Sequence, residues 1–320
     1  MLSLSRGAYP DLEAVGVHTK QVDISSNPDS WDALFEGIDG VFHTAAKVDM
    51  WGDYEGFYKT NVLGTRNVMA ACRRAGVRRL VYTSSPSVIH TGDNLRDADE
   101  SLHYPKHFHA FYPQTKAQAE QEVLGADNHG VMHTVALRPH LIWGPNDTNL
   151  IPTILERARA GRLTRIGAGE NKVDLTFIDD CVHAHILAMK ALENSPDIVS
   201  GKAYFISQGD PVNMWQWINQ VLAVHGIPPV TRSLSTQVAY ALAAVMEFGA
   251  NALSLIGIKI TPLLTRFLVS EMSTDHYFNI IRAKKDLGYA PSCSIADAMT
   301  KTFGVTHGHE IATPRKSQRG

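Results

Sequence analysis

The sequence predicts an α/β protein built on a doubly wound parallel sheet, followed by a smaller and mostly helical C-terminal region. Short apolar runs of strand length alternate with segments of helical periodicity through the first half of the chain. Strands that alternate with helices in this way are joined by right-handed crossovers, and they therefore form a parallel sheet. From residue 211 onward helical and apolar segments dominate, so the second half differs in character.

The composition is that of a folded protein of ordinary polarity. Hydrophobic residues make up 44% and charged residues 19% of the 320-residue chain, and a formal net charge of -2 gives no electrostatic basis for binding nucleic acid. The cysteines form no Cys-x-x-Cys pair and the histidines no His-Glu-x-x-His pattern, so no metal site is predicted. Residues 1–10 lack the apolar run of a secretory signal, and the expected location is the cytoplasm.

Strands and helices are predicted in a regular order. The strands fall at 1–6, 17–22, 40–46, 79–84, 132–137 and 202–206, and the helices at 11–15, 31–35, 57–76, 112–123 and 151–160. Residues 172–180 are predicted to form a strand that runs into a helix, with Asp179 or Asp180 as the N-cap.

A tyrosine and a lysine share one face of a predicted helix. Pro113 is tolerated in the first helical turn, which puts Tyr112 at the start of the helix, and Lys116 projects from the same face four residues later. The pKa of a free tyrosine is about 10, and a nearby ammonium favours the phenolate. An ordinary helix start with a solvated lysine has the same spacing. Together with the residues below, the pair predicts an acid–base site.

Three predicted strand ends carry residues suited to ligand binding. Ligands of such sheets bind beyond the carboxyl ends of the strands. Asp23 follows the second strand, and Ala45 and Ala46 close the third, where small side chains let a flat cofactor approach the backbone. Ser85 closes the fourth, one predicted loop ahead of Tyr112. Its hydroxyl is predicted either to hydrogen-bond a substrate carbonyl or to form a turn.

Motifs spread over the chain resemble one family of enzymes. Residues 83–85, Tyr112-x-x-x-Lys116 and the 137–145 segment resemble an extended short-chain dehydrogenase/reductase. Finer motifs are similar to those of the 3-beta-hydroxysteroid dehydrogenase/isomerase family, namely His43-Thr44-Ala45-Ala46, Thr60-Asn61-Val62-x-Gly64-Thr65, Tyr82-Thr83-Ser84-Ser85-x-x-Val88, Tyr112-Pro113-x-x-Lys116-Ala117-x-Ala119-Glu120, Asp275-His276-Tyr277-Phe278 and Ala283-Lys284-Lys285-Asp286-Leu287-Gly288-Tyr289. The similarity extends over nearly the whole chain and implies a Rossmann-like fold.

The resemblance implies NAD(P)-dependent interconversion of a hydroxyl group and a ketone on a hydrophobic, sterol-like secondary alcohol. Tyr112 would take the hydroxyl proton, Lys116 would lower the pKa of that tyrosine and hold the nicotinamide ribose, and Ser85 would steady the substrate oxygen. Asn61 would help to position the lysine, directly or through water. The other residues implied in cofactor binding are Asp23 and Ile24 beside the adenine, Ala45, Ala46 and Lys47 along the dinucleotide, and Pro139 at the nicotinamide end.

The resemblance also divides the chain into functional regions. Residues 1–150 would form the dinucleotide-binding domain, to which 172–210 return. Residues 151–306 would form the substrate-binding region, and the polar and basic residues 307–320 a flexible tail.

One departure from the family pattern concerns the start of the fold. The family's fold normally begins with a strand, a Gly-x-x-Gly-x-x-Gly turn and a helix, whereas residues 1–6 resemble the second strand. A slot with unpaired backbone groups is therefore expected in the middle of the sheet. Three explanations are left open: a chain that begins late, a sheet that closes across the gap with weak cofactor binding, or a strand supplied by another chain, as in a homodimer. Arg6, just after this strand, favours a 2′-phosphate and hence NADP, where an acidic residue would favour NAD.

Residues 238–258 are apolar apart from Glu247, Asn251 and small hydroxyl residues. Their length is enough to span a bilayer, but we expect a helix that covers an apolar substrate pocket or attaches peripherally to a membrane. Two other functions remain compatible with the sequence. One is a nucleotide-sugar epimerase or dehydratase, which uses the same tyrosine and lysine, and the other is a non-catalytic sensor or scaffold built on the fold.

Overall fold

The computed structural model describes residues 1–127 and 131–304 as an α/β protein. Its strands are β1 (Leu2–Ser5), β2 (His18–Gln21), β3 (Val41–His43), β4 (Arg79–Thr83), β5 (Leu95–Ala98), β6 (His133–Pro139), β7 (Ile142–Trp143), β8 (Arg165–Ile166), β9 (Lys172–Val173), β10 (Thr176–Phe177), β11 (Lys202–Ile206), β12 (Val212–Asn213), β13 (Ser233–Leu234) and β14 (His276–Phe278). Its helices are α1 (Pro10–Ala14), α2 (Asp32–Phe35), α3 (Tyr54–Phe57), α4 (Gly64–Ala75), α5 (Phe111–Gly125), α6 (Leu150–Arg159), α7 (Ile178–Asn194), α8 (Pro196–Val199), α9 (Met214–Val224), α10 (Thr236–Leu255), α11 (Arg266–Ser273), α12 (Ile281–Leu287) and α13 (Ile295–Phe303).

The central layer is a parallel sheet of four strands in the order β11-β6-β4-β3. Side chains alternate between its two faces. Val81 and Val135 belong to the core on the side of α7, whereas Leu80 and Ala136 belong to the core on the side of α4 and α5. Because helices cover both faces, the strands are buried on both sides, as expected of a parallel sheet. The predicted doubly wound architecture is confirmed.

A slot separates this sheet from the first two strands. β1 pairs in parallel with β2, and within residues 1–127 and 131–304 neither strand pairs with any other. A cavity of about 320 Å³, here called the first cavity, is lined by residues 3–6 of the β1 segment and by residues 44–46 after β3. The predicted gap in the sheet therefore lies between β1 and β3.

The helix predicted at 57–76 is not uniform. α3 leads into a π-helical segment, Tyr58–Leu63, and α4 continues from there. π-Helical turns inside helices occur frequently at functional sites. This one contains Asn61, which is buried.

A second sheet draws on distant parts of the chain. Its strand order is β12-β9-β14-β5, and β14 pairs in parallel with both β5 and β9. The stretch between Ser85 and Tyr112, which the sequence predicted to be one loop, therefore contains a strand, as well as the 3₁₀ turn Pro86–Ile89. The 172–180 segment differs from its prediction too. It forms the separate strands β9 and β10, and Phe177 is the N-cap of α7, with Asp179 and Asp180 in the first turn.

α10 confirms the helix expected in the apolar run but does not cover the substrate cavity described below. It packs on α11 through Ala239, Ala243 and Val269, and its outer side exposes Phe248 at 76%. Among the described helices it is the one long and apolar enough to cross a membrane, by length and composition only. The carboxylate of Glu247 accepts hydrogen bonds from Arg266 N and Nε at 2.7 and 2.6 Å, so α11 neutralises the acidic residue of this run. The predicted tail, 307–320, lies outside the described residues.

Candidate active site

Tyr112, Lys116, Ser85 and Pro139 line one cavity of about 550 Å³, here called the second cavity. It opens at the carboxyl ends of β4 and β6, where ligands of parallel sheets bind. Thr44 and Ala46 line both the first and the second cavity, so the two are adjacent. Four predicted residues, from three separate segments of the chain, are thus brought together.

Tyr112 occupies the first turn of α5, as its position before Pro113 predicted. Burial raises the pKa of the phenol, and Glu271 acts in the same direction, while a hydrogen bond with Ser85 lowers it. The sequence predicted that Lys116 would lower this pKa. The opposite direction is found because desolvation of the phenol dominates.

Lys116 is 2% exposed, and its ammonium already has partners. Nζ donates to the carbonyl oxygen of Thr83 at 2.6 Å and lies 4.1 Å from the centre of the Tyr82 ring. Burial lowers the pKa of Lys116 to about 7, although Glu120 acts to raise it. The lysine therefore lies beside the tyrosine on one helix face, but its charge is directed at the end of β4.

A buried ion pair supports the helix behind this lysine. Glu120 is fully buried and Arg138 is 4% exposed. Arg138 Nη2 donates to Glu120 Oε1 at 2.5 Å and Nε to Oε2 at 3.0 Å, and the hydroxyl of Tyr104 donates to Oε1 at 2.6 Å. Two charges buried in this way need such partners, since each charge alone would be costly to desolvate. The pair fixes α5 against β6.

Ser85 serves both as a turn residue and as a lining residue of the cavity. It is the N-cap of the 3₁₀ turn, where its Oγ accepts hydrogen bonds from Ser87 N at 3.2 Å and Ser87 Oγ at 2.9 Å. Both acceptor positions of the hydroxyl are thereby used. Its proton is left to donate toward Tyr112 or a ligand oxygen.

Asn61 makes no direct hydrogen bond to the Lys116 ammonium among the described contacts, and Lys47 lies away from the predicted dinucleotide path. Asn61 Oδ1 accepts from Lys47 N at 2.7 Å, and Asn61 Nδ2 donates to Lys47 O and to Thr115 Oγ1, both at 3.1 Å. Asn61 thus fixes the loop after β3 and the residue next to Lys116, rather than the ammonium itself. The side chain of Lys47 pairs with Asp49 at 2.6 Å, and among the described lining residues it borders neither cavity.

The first cavity contains the remaining predicted cofactor residues. Its lining includes Arg6, Asp23, Ile24, Ala45 and Ala46. Asp23 Oδ1 accepts from Ser25 N and Oγ at 2.9 and 2.7 Å, and these bonds hold the pKa of its carboxyl below the usual value, with a smaller contribution from Arg6. Gly64 permits the close approach of α4, because an added Cβ would lie 2.7 Å from Ile24 Cδ1.

Four further residues of the second cavity were not predicted. They are His90, His140, His276 and Glu271, here called the histidine cluster. His90, Glu271 and His276 offer ligand atoms within 4.8 Å of one another, the arrangement of a potential metal site. No local pattern links these residues in the sequence, because they come from four separate segments.

The 3-beta hydroxysteroid dehydrogenase/isomerase family model matches residues 6–235. The chain belongs to that family. One curated relative of this chain is the 2-alkyl-3-oxoalkanoate reductase of Stenotrophomonas maltophilia. The two are 43% identical over 304 residues, which cover 94% of this chain and 90% of the relative. Another is the human sterol-4-alpha-carboxylate 3-dehydrogenase, decarboxylating, 36% identical over 282 residues that cover 88% of this chain and 75% of the relative.

Solved structures agree with the fold of this dehydrogenase family. The crystal structure of gox2253 superposes with a TM-score of 0.73 and 27% identity, covering 95% of this chain and 88% of that one. MoeE5 in complex with UDP-glucose and NAD gives a TM-score of 0.69 at 20% identity, with 95% and 89% coverage. At that identity the likeness of MoeE5 concerns the fold alone.

The protein is an NAD(P)-dependent oxidoreductase of the 3-beta-hydroxysteroid dehydrogenase family. Its two adjacent cavities fit such a cofactor. Thr44 and Ala46, just after β3, line both cavities, the predicted adenine residues line the first, and the tyrosine, lysine and Pro139 line the second. Bound there, NAD(P) would supply the hydride chemistry, and the protein would supply position and electrostatics.

Proposed function

We propose that this enzyme interconverts the hydroxyl and the ketone of a hydrophobic carboxylic acid in which the oxygen-bearing carbon neighbours the carboxylate-bearing carbon. The proposal rests on the convergence of Tyr112, Lys116 and Ser85 on the second cavity. Apolar residues supply much of the rest of its lining: Val48, Met50, Leu95, Leu141, Ile142, Leu150, Phe267 and Phe278. Such a lining suits a hydrophobic ligand held by a few polar groups.

The names of the relatives support the position of the carboxylate. A 2-alkyl-3-oxoalkanoate carries its ketone one carbon beyond the carbon bonded to the carboxylate. A sterol-4-alpha-carboxylate acted on at carbon 3 has the same relation between the two groups. A sterol nucleus and a branched alkyl chain are therefore alternative hydrophobic parts of one substrate type.

Each side chain has a defined task in this reaction. In the reductive direction Tyr112 donates its proton to the ketone oxygen as that carbon receives hydride, and in the oxidative direction it accepts the proton from the hydroxyl group. The raised pKa keeps the phenol protonated at neutral pH, which suits the reductive direction. The Ser85 hydroxyl donates to the same substrate oxygen, because its acceptor positions are used by Ser87.

Replacement of the tyrosine tests the function. With a 2-alkyl-3-hydroxydecanoate and NAD or NADP, Tyr112→Phe is expected to lower kcat/KM by about 10²- to 10⁴-fold, the usual contribution of a positioned acid or base. Reduced cofactor is followed by absorbance. Tyr240→Phe, on α10, is the matched control and should retain activity. Unchanged turnover by Tyr112→Phe would rule out this assignment.

The two other functions suggested by the sequence have less support. A nucleotide-sugar epimerase or dehydratase needs cations to hold a diphosphate, but the described lining of the second cavity contains no arginine, and its one lysine, Lys116, is committed to Thr83. A sensor would bind NAD(P) without turnover. Calorimetric titration of the cofactor alongside the turnover assay separates that case, since binding without any turnover would favour it.

We also propose that the exposed side of α10 attaches the enzyme peripherally to a membrane while the rest of the fold stays in the cytoplasm. Large apolar side chains are exposed along this helix and the loop after it: Val238, Leu242, Val245, Met246, Phe248, Leu255, Ile256 and Ile258. A continuous exposed apolar surface marks an interaction site. A hydrophobic substrate dissolved in a bilayer is a physical reason for such contact.

A further inference from the structure

Two imidazoles and a carboxylate of the histidine cluster converge in the second cavity, close to Tyr112. His90 ends the 3₁₀ turn, His276 begins β14 and Glu271 lies on α11. These three residues, here called the triad, line the same cavity as Tyr112, and each offers one ligand atom within 4.8 Å of the other two. The triad therefore borders the place at which the substrate reacts.

The carboxylate of Glu271 accepts no hydrogen bond from any side chain or backbone group of residues 1–127 and 131–304, and burial is the dominant influence on it. Two imidazole nitrogens face it instead, His90 Nε2 at 3.6 Å from Oε1 and His276 Nδ1 at 3.9 Å from Oε2. Both distances are longer than a hydrogen bond. The side chain is only 21% exposed, so the carboxylate is partly desolvated without a donor or cation to compensate it. A metal ion between these three groups would supply that partner.

A hydrogen bond orients His276 as a metal ligand. The hydroxyl of Thr274 donates to Ser270 O at 2.9 Å, so its oxygen accepts from His276 Nε2 at 2.6 Å. The proton of the neutral ring therefore lies on Nε2, and the lone pair of Nδ1 lies on the side of Glu271. Imidazoles that bind metals usually donate their second ring N–H to such a partner, which fixes the tautomer.

His90 is held beside His276 by contacts that leave room for a change of partner. The two rings meet edge to face with their centroids 4.9 Å apart. His90 Nε2 lies 2.9 Å from Ser270 Oγ, and the same hydroxyl lies 3.2 Å from the carbonyl oxygen of Gly92. The serine keeps Gly92 as its acceptor when Nε2 binds an ion. Metal binding thus replaces one hydrogen bond of His90 and does not leave the serine unpaired.

The separations within the triad are close to those around one tetrahedral zinc ion. Zn²⁺ binds imidazole nitrogen and carboxylate oxygen at about 2.0–2.2 Å, which places the ligand atoms of a tetrahedral site about 3.3 Å apart. The separations of 3.6 and 3.9 Å from Glu271 need to shrink by only about 0.3–0.6 Å to reach that value. Two imidazoles and one carboxylate are the protein ligands of some catalytic zinc sites, in which a fourth position stays open. Mg²⁺ and Ca²⁺ prefer oxygen ligands throughout.

The charge of such a site indicates what binds at its open position. Two neutral imidazoles and one carboxylate leave Zn²⁺ with an uncompensated positive charge, which is costly in a cavity lined mainly by apolar residues. The other carboxylate of the described lining, that of Asp49, is already paired with Lys47. A single carboxylate from the substrate restores neutrality, whereas a diphosphate carries more negative charge than the site balances.

We propose that His90, His276 and Glu271 form a Zn²⁺ site in the second cavity, and that the ion holds the substrate carboxylate at its open position. The role of the carboxylate rests on the substrate class proposed above, whereas the ligand set does not. A carboxylate one carbon away from the reacting carbon lies beside Tyr112 and Ser85. The ion therefore orients the reacting carbon toward the phenol and selects acids over their esters.

Metal binding is measured first, on the full chain after treatment with a chelator. We expect one Zn²⁺ per chain in a titration against a chromogenic chelator. Glu271→Gln and His276→Gln should each weaken the affinity for Zn²⁺ by at least about 100-fold, since loss of a residue that merely orients a ligand costs about 10- to 100-fold. Glu193→Gln and His183→Gln, exposed changes of the same two kinds on α7, are the matched controls. Thermal unfolding without metal shows which variants are folded, and either of the two triad variants is sufficient for the test.

Cobalt substitution tests the open position without turnover. Co²⁺ absorbs visible light with an intensity that depends on its ligands. In the presence of the reduced cofactor, with which the alcohol cannot react, 2-alkyl-3-hydroxydecanoate should change this spectrum and its methyl ester should not. In turnover with Zn²⁺ and oxidised cofactor, kcat/KM for the acid should exceed that for the ester by at least about 10-fold, the effect of one charged contact.

The outcomes separate this inference from the proposed function. No stoichiometric binding of Zn²⁺, binding that is unchanged in Glu271→Gln and His276→Gln, or the same cobalt spectrum with acid and ester would each overturn the proposal. Failure of the proposed function has a different signature, because neither compound would then be turned over while Zn²⁺ would still bind through the triad.

Discussion

Replacement of Lys116 by methionine tests how the buried ammonium affects the fold. The side chain is 2% exposed, and burial lowers its pKa from 10.5 to about 7. Between these two values the unfolded chain binds a proton that the folded chain does not. The free energy of unfolding therefore rises with pH between about pH 7 and pH 10.5. The reason is that the protonated lysine is favoured in the unfolded chain, and raising the pH removes that proton. Lys116 should therefore destabilise the folded wild type most at and below pH 7.

The magnitude follows from the displacement of the pKa. One pKa unit corresponds to about 1.4 kcal/mol, so the penalty is on the order of 4 kcal/mol at pH 7 and falls by roughly 2 kcal/mol between pH 7 and pH 9. Methionine removes this penalty but leaves the Thr83 carbonyl without its donor, which costs about 1–3 kcal/mol. We expect Lys116→Met to be the more stable protein at pH 7, by on the order of 2 kcal/mol, and to lose most of that advantage at pH 9.

Thermal unfolding of the protein without added cofactor measures this difference. The difference in melting temperature between wild type and Lys116→Met should shrink by about 4–8 °C between pH 7 and pH 9. A change of 1 kcal/mol shifts Tm by about 2–4 °C in a protein somewhat smaller than this one. Lys190→Met, an exposed change on α7, serves as the control. If wild type and Lys116→Met show the same dependence of Tm on pH, the lysine is not held in a strongly desolvating site.

Three further results are expected. Glu120→Gln leaves Arg138 as an uncompensated buried charge and should lower the free energy of unfolding in urea at pH 7 by about 3–5 kcal/mol. Glu122→Gln, in the more exposed ion pair with Arg66, should lower it by less than about 1 kcal/mol. Similar losses in the two variants would contradict the importance of the buried ion pair. Arg6→Asp should lower the ratio of kcat/KM for NADP to that for NAD by about 10-fold or more, and an unchanged ratio would remove Arg6 from phosphate binding. Phe248→Asp should reduce co-sedimentation with phospholipid vesicles by about tenfold. Val182→Asp, at an apolar residue that is also exposed but lies on α7, should have no effect. Equal binding by the two variants would argue against α10 as the contact.

Local sequence patterns were sufficient to predict the features of the site that follow directly from helix or strand geometry. Tyr112 and Lys116 lie four residues apart on α5, so the spacing alone determines that they share a face. Ser85 and Ala46 were identified as strand ends, and parallel strands bring such ends to one edge of the sheet, where both line the second cavity. The slot between β1 and β3 was predicted instead from the family resemblance, in which residues 1–6 correspond to the second strand of the fold.

Predictions of hydrogen-bond partners, pKa shifts and helix packing were less successful, because these depend on contacts between segments that are distant in the sequence. The charge of Lys116 is directed at Thr83 O, and the pKa of Tyr112 is raised rather than lowered. Asn61 bonds to a loop and to Thr115. The apolar run that was expected to cover the pocket packs on α11 instead, and α11 supplies lining residues of the cavity.

By itself, the sequence determined the main strands and helices of the first half of the chain, the family motifs, and the shared helix face of Tyr112 and Lys116, since each of these depends on short-range periodicity or spacing. Only the tertiary structure brought His90, His140, His276 and Glu271 into one group. They meet because β14 pairs with β5 and β9, and because α11 lines the same cavity. Such pairings are selected by the burial of whole elements, and no local pattern in the chain encodes which distant side chains will then face each other.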